Sequence, residues 1–192
     1  MSQTLRDLLI QRGARLQERP ALTAPEWGTL SYAQLRNRVE GVALGLLATQ
    51  SGPALFAATG TLWDWAAELA VAASALVWDP SGAQVPLEVL GGPRFNDDAG
   101  RGPYHALEHC LNEATLFRPG LSHGQWLNQL RRWNERHGWD HDTEITLPRE
   151  RLGEPPFSAA LWCALYAGAH ATLALPMPRG QSWNAAMFEE LA

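Results

Sequence analysis

His105, Glu108 and His109 stand in the H-x-x-E-H spacing of inverted zinc peptidases. In that arrangement two histidines one helical turn apart hold the metal while the glutamate activates a water. Cys110 adds a soft ligand beside them, Gly102 and Pro103 place the motif at a helix start, and Glu189 or Glu190 would have to supply a third ligand. Neither glutamate sits in a recognisable ligand helix. A second pair, His137 and His141, lies among Asp140, Asp142 and Glu144, where Gly138-Trp139 and polar composition describe a surface turn after a helix. A histidine there suits the negative end of the helix dipole. Ser122-His123 are adjacent, so their side chains point apart and do not make a nucleophile and base; Ser122 as a helix cap is the simpler reading.

The chain has 192 residues, 46% of them hydrophobic, which is enough for a full core in one domain. All 15 of its basic residues are arginine and the net charge is -5. With no basic stripe, nucleic acid is not an expected partner. Without lysine, the chain has no Schiff-base amine and no ammonium to aim at a phosphate. The most apolar run, Leu62 to Val77, contains Asp64 and Glu68 and is shorter than the roughly 20 residues a bilayer crossing needs. The expectation is a cytoplasmic protein with no membrane contact, whose Cys110 and Cys163 are reduced thiols.

Helix starts are marked by Ser or Thr followed three residues later by an acid or amide: Thr4/Asp7, Ser31/Gln34, Thr61/Asp64 and Ser122/Gln125. After the first, Leu5, Leu8, Leu9 and Leu16 form an apolar stripe interrupted by Arg12. After the second, Leu35, Val39, Val42, Ala43, Leu46 and Leu47 share one helix face. Short apolar runs at 53–58, 75–79, 87–90, 113–117, 144–147 and 171–175 read as strands. Residues 53–79 are thus a βαβ unit around an apolar helix, and 144–175 a second, with Ser158 capping a helix that Gly168 ends. The predicted fold is α/β: a mostly parallel sheet with helices on both faces, in a single domain over 1–192. Its parts are a helix, hairpin and helix (1–50), the βαβ unit (51–90), a loop-rich linker (91–112, with Gly91 to Tyr104 a loop) and a second α/β portion (113–192). Of nine tryptophans, Trp63, Trp65, Trp78 and Trp162 fall on core elements, whereas Trp27, Trp126, Trp133, Trp139 and Trp183 are available to a partner.

Residues Thr29 to Leu47, preceded by Arg19-Pro20-Ala21-Leu22 and Trp27-Gly28, resemble the opening hairpin and helix of the AMP-forming adenylating enzymes. That superfamily contains acyl-CoA synthetases, luciferases and adenylation domains of peptide synthetases. Leu62 to Ala70 with Ala75 to Pro80, then Ser122-His123, then Leu161 to Pro176, are similar to its later elements in the same order. The match covers roughly residues 4–80 and 121–176 and implies the first subdomain of the large catalytic domain.

The same resemblance shows a departure at the superfamily's T-S-G-T-T-G-x-P-K-G loop, which wraps triphosphate with backbone N–H groups and a lysine. Here the segment reads Glu113-Ala114-Thr115-Leu116-Phe117-Arg118-Pro119-Gly120-Leu121-Ser122-His123. Glycines and the lysine are missing, and the ring, ribose and hinge motifs have no counterpart, so no catalytic residue is carried over. The expectation is a non-catalytic relative serving as a binding or interaction module. The alternatives are acyl or adenine-nucleotide binding, one part of a split ligase, and a zinc hydrolase on His105, Glu108 and His109. No cofactor is expected, apart from weak ATP or AMP binding in a vestigial loop of Arg118, Gly120, Ser122 and His123. A chain resembling one subdomain would lack that subdomain's usual neighbour, so a homodimer through the 62–75 and 158–167 helices, or a partner protein, is expected.

Overall fold

A computed structural model describes residues 3–49, 52–86 and 110–192. His105, Glu108, His109, the expected strand at 87–90 and the expected loop at 91–104 lie outside the described residues. The chain divides into two compact units, one of residues 1–10 and 36–127, the other of residues 11–35 and 128–192.

In the first unit, β3 (Ala54–Phe56), α3 (Trp63–Ala73) and β4 (Val77–Trp78) form the expected parallel βαβ unit. A third strand, β5 (Ala83–Gln84), joins the other side of β3 in the order β4-β3-β5, again parallel. Every residue of α3 from Trp65 to Ala73 is buried, as its all-round apolarity requires. Asp64 does not close a capping box on Thr61. Its two oxygens instead accept from Thr59 N at 2.8 Å and Gly60 N at 2.9 Å, and the helix begins without a side-chain cap. Further along, β6 (Leu116–Arg118) and β7 (Leu121–Ser122) make an antiparallel hairpin that runs into helix α4 (His123–His137).

In the second unit, the hairpin of β1 (Pro20–Ala24) and β2 (Gly28–Ser31) joins β8 (Glu144–Pro148) and β9 (His170–Ala174) in the order β2-β1-β9-β8. β1 and β2 are antiparallel, whereas β1 with β9 and β8 with β9 are parallel. The described strands therefore belong to a mixed but mostly parallel α/β arrangement, shared among three sheets. Helix α5 (Pro155–Ala167) connects β8 to β9. It starts a turn earlier than a Ser158 cap would place it, because Pro155 occupies the first helical position with Glu154 as the flanking residue. Gly168 ends it at φ 84°, as expected.

Helices α1 (Leu5–Leu16) and α2 (Tyr32–Thr49) begin with the boxes read from sequence. Thr4 N donates to Asp7 at 3.0 Å and Asp7 N to Thr4 at 3.1 Å, and Ser31 N donates to Gln34 at 2.9 Å. Arg12, the gap in the α1 stripe, donates to the carbonyls of Leu165 (3.2 Å) and Tyr166. It thereby satisfies two acceptors that the end of α5 leaves open, with its charge at the favourable pole of that helix. Burial holds the Arg12 pKa below its ordinary value.

Two expectations about surface are corrected. Trp126 and Trp133, assigned to a partner, are fully buried. The helices assigned to a dimer contact are buried over Trp65–Ala73 and over Ala159–Leu165, so neither offers a free apolar face. Among the described residues no helix is long and apolar enough to cross a membrane.

Candidate functional site

The segment compared above with a phosphate loop contains the β6–β7 hairpin. Pro119-Gly120 makes the turn, with Gly120 at φ 73°, and Arg118 pairs with Leu121 across it. The chain then enters α4, whose first N–H groups are the ones that would meet an anion. His123 N donates to Thr115 O at 2.9 Å, Gly124 N to Glu113 O at 2.8 Å and Gln125 N to Ser122 Oγ at 3.3 Å. Gln125 returns the bond by accepting from Ser122 N at 2.8 Å. The helix start is therefore satisfied by its own chain. A Cβ added at Gly124 would sit 3.1 Å from Glu113 O, which shows how closely the preceding loop is drawn in.

Three side chains of this segment, Phe117, Arg118 and His123, turn inward, whereas Leu116 is exposed. Phe117 is fully buried. Arg118 Nη2 lies 2.5 Å from Glu68 Oε1, and its guanidinium carbon lies 4.9 Å from the Phe117 ring centre and 5.1 Å from that of Trp126. Glu68 is 4% exposed, so this is a charge pair in low dielectric with aromatic faces stacked on the cation. His123 is 0% exposed, and its Nδ1 accepts from Leu5 N at 3.1 Å. The ring is then a neutral imidazole protonated on Nε2, for which the described residues provide no acceptor. Burial lowers its pKa to about 4, against the opposing pull of the Asp7 carboxylate. Of the four residues assigned to a vestigial nucleotide loop, Gly120 thus makes the turn, Ser122 caps α4, Arg118 holds Glu68 and His123 binds the α1 backbone.

The second unit holds a polar cluster that sequence reasoning missed. On the sheet, Thr23 Oγ1 lies 2.9 Å from His170 Nε2 and 2.9 Å from Thr29 Oγ1. A hydroxyl within reach of an imidazole is the first element of a nucleophile and base pair. No group among the described residues bonds the other ring nitrogen of His170 to orient it, so the arrangement reads as a cross-strand polar lock. The three residues are brought together by β-sheet pairing across 147 positions, a distance at which no local motif can signal them. His137 stacks on Trp133, with ring centres 4.2 Å apart, while the His141 carbonyl accepts from Arg19 at 2.8 Å. Among the described residues no three ligating side chains gather as a metal site.

Solved structures share this fold. The N-terminal subdomain of Klebsiella oxytoca NpsA superposes with a TM-score of 0.62 at 18% identity, covering 92% of this chain and 55% of that one. The fold is that of the adenylating enzymes' N-terminal portion. VinN in complex with L-aspartate gives 0.62 at 12% identity over 88% of this chain and 57% of that one. A fatty acyl-adenylate ligase from L. pneumophila, bound to acyl adenylate and pyrophosphate, gives 0.64 at 13% over 91% and 40%. The chain spans about half the length of these relatives. No family model matches it, and a search of curated proteins returned no match.

Proposed function

We propose that the chain is a non-catalytic module with an adenylating-enzyme fold that works by binding a partner and not a nucleotide. The observation that carries this reading is the state of the α4 start. The N–H groups of His123, Gly124 and Gln125 are all taken by Glu113, Thr115 and Ser122. A triphosphate needs backbone donors and a cation, and here the nearby cation, Arg118, is committed to Glu68. Opening this segment for phosphate would break two backbone–backbone hydrogen bonds and the Ser122 cap bond, and would strand a buried carboxylate. The Lys-free composition points the same way.

Calorimetry with magnesium-ATP and with AMP tests the reading. Affinity no tighter than millimolar is expected for both. Micromolar binding that is lost in Arg118→Ala would mean that the hairpin opens for nucleotide and would overturn it.

A further inference from the structure

Among the described residues the outer edge of β8 is unpaired in the four-stranded sheet, whose order places β8 last. His170 N donates to Thr143 O at 2.9 Å, which fixes the alternation of the ladder. Residues 143, 145 and 147 direct their backbone groups to β9, so the N–H and C=O of Glu144 and Thr146 face away from it. Pro148 supplies a carbonyl but no donor, so the edge ends there. An exposed edge of this kind is usually covered by another element or blunted by charge.

Here it borders a cleft of about 350 Å³ instead. Four successive strand residues, Glu144 to Leu147, form one side of it, so the cleft runs along the strand. Its apolar lining comes from Trp139, Met177, Trp183, Met187 and Phe188. Trp183 and Phe188 stack with ring centres 5.4 Å apart, and Trp139 meets Phe188 edge-on at 5.9 Å, which makes the aromatic lining a connected array. Among the described residues the Trp183 indole N–H has no acceptor, and the polar side chains of Gln181, Ser182 and Asn184 also line the cleft. Glu144 is the one ionisable group in the lining.

We propose that this cleft receives an extended peptide segment of a partner protein, added as a strand to the β8 edge. The alternating free N–H and C=O groups of Glu144 and Thr146 match an extended backbone and no other common ligand geometry. Alternate side chains of such a strand would meet the Trp and Met lining. The Glu144 carboxylate selects for a basic residue and against an acidic one, so the occupant is a neutral to basic strand with apolar residues at every second position. This inference deepens the reading of the chain as a binding module and rests on it. Nucleotide affinity at α4 would sink that reading, while peptide affinity at β8 is measured separately, so the two fail by different experiments.

The probes are N-acetylated, C-amidated heptapeptides with valine at alternate positions and either lysine or glutamate between them. They are titrated into the intact chain while tryptophan fluorescence and the Thr146 amide NMR shift are followed. The lysine peptide is expected to bind in the micromolar range, at least about tenfold tighter than the glutamate peptide. Thr146→Pro removes an edge donor without touching the β9 ladder, and is expected to weaken binding about tenfold or more with the melting transition retained. Glu144→Arg keeps every backbone donor and is expected to reverse the preference, which preserves the test if the proline variant does not fold. Absence of binding at millimolar peptide, equal affinity for both peptides, or indifference to both substitutions overturns the proposal. A dimer in sedimentation that Thr146→Pro dissolves would seat a second copy of the chain on this edge, and overturns it equally.

Discussion

The backbone N–H of Leu5 donates to Nδ1 of His123 at 3.1 Å, so an imidazole at the start of α4 terminates the backbone at the start of α1. Thr4 and Asp7 satisfy other N–H groups at the same helix end. The bond requires a neutral ring, since a protonated Nδ1 is a donor and would face another donor.

A pH dependence of stability follows. The folded-state pKa of His123 is lowered to about 4 by burial, from 6.5 in an unfolded chain. Between those values the unfolded state binds the extra proton, so stability is full above pH 6.5 and falls as the pH drops towards 4. The loss amounts to roughly 3 kcal/mol at the low end. Urea unfolding of wild type and His123→Gln at pH 7.5 and pH 5 isolates this contribution from the carboxylates, and the variant is expected to lose less stability over that interval. Parallel losses in the two proteins would show that His123 titrates normally.

The Arg118 and Glu68 pair, 2.5 Å apart with Glu68 buried, is expected to be structural. Arg118→Ala removes both the partner of a buried carboxylate and the cation over two rings, for a cost of about 2–3 kcal/mol after allowing for the partial exposure of the arginine. A double-mutant cycle with Glu68→Gln and Arg118→Met measures the coupling by denaturant unfolding. Additive effects would mean that the pair contributes nothing of its own.

Gly168 combines φ 84° with a site where an added Cβ would lie 2.8 Å from Leu16 Cδ1. Gly168→Ala is expected to destabilise by about 1–3 kcal/mol, part steric and part conformational. Adding Leu16→Ala should recover the steric part and leave the conformational part. If the double variant shows no recovery, the two side chains do not compete for that space.

Much of this fold is legible locally. The boxes at Thr4, Ser31 and Ser122 and the left-handed Gly168 each involve residues within a turn of one another, and each forms as read. The Thr61 box fails because Asp64 is captured by the N–H groups of Thr59 and Gly60, which are equally close in sequence. Ser158 is displaced by the prolines at 155 and 156, a competing local signal. The site was legible only as a departure from a motif. What Arg118 and His123 do depends on Glu68, 50 residues away, and on Leu5, 118 away, and no spacing rule connects them. The same holds for the cleft, which unites the β8 edge with residues 177–188. Its one sequence signal was the surplus of tryptophans, of which Trp139 and Trp183 line it and Trp126 and Trp133 are buried.

An adenylating-enzyme fold that serves only for binding is expected to catalyse no adenylation. ATP–pyrophosphate exchange measures that step directly, because radiolabelled pyrophosphate enters ATP only when an acid is reversibly adenylated. Purified protein is assayed with magnesium-ATP and a broad panel of amino, aryl and fatty acids. Exchange at the level of a heat-denatured control is predicted for every acid, whereas acid-dependent exchange well above that level, lost on substitution of Arg118, would show that the chain is an adenylating enzyme.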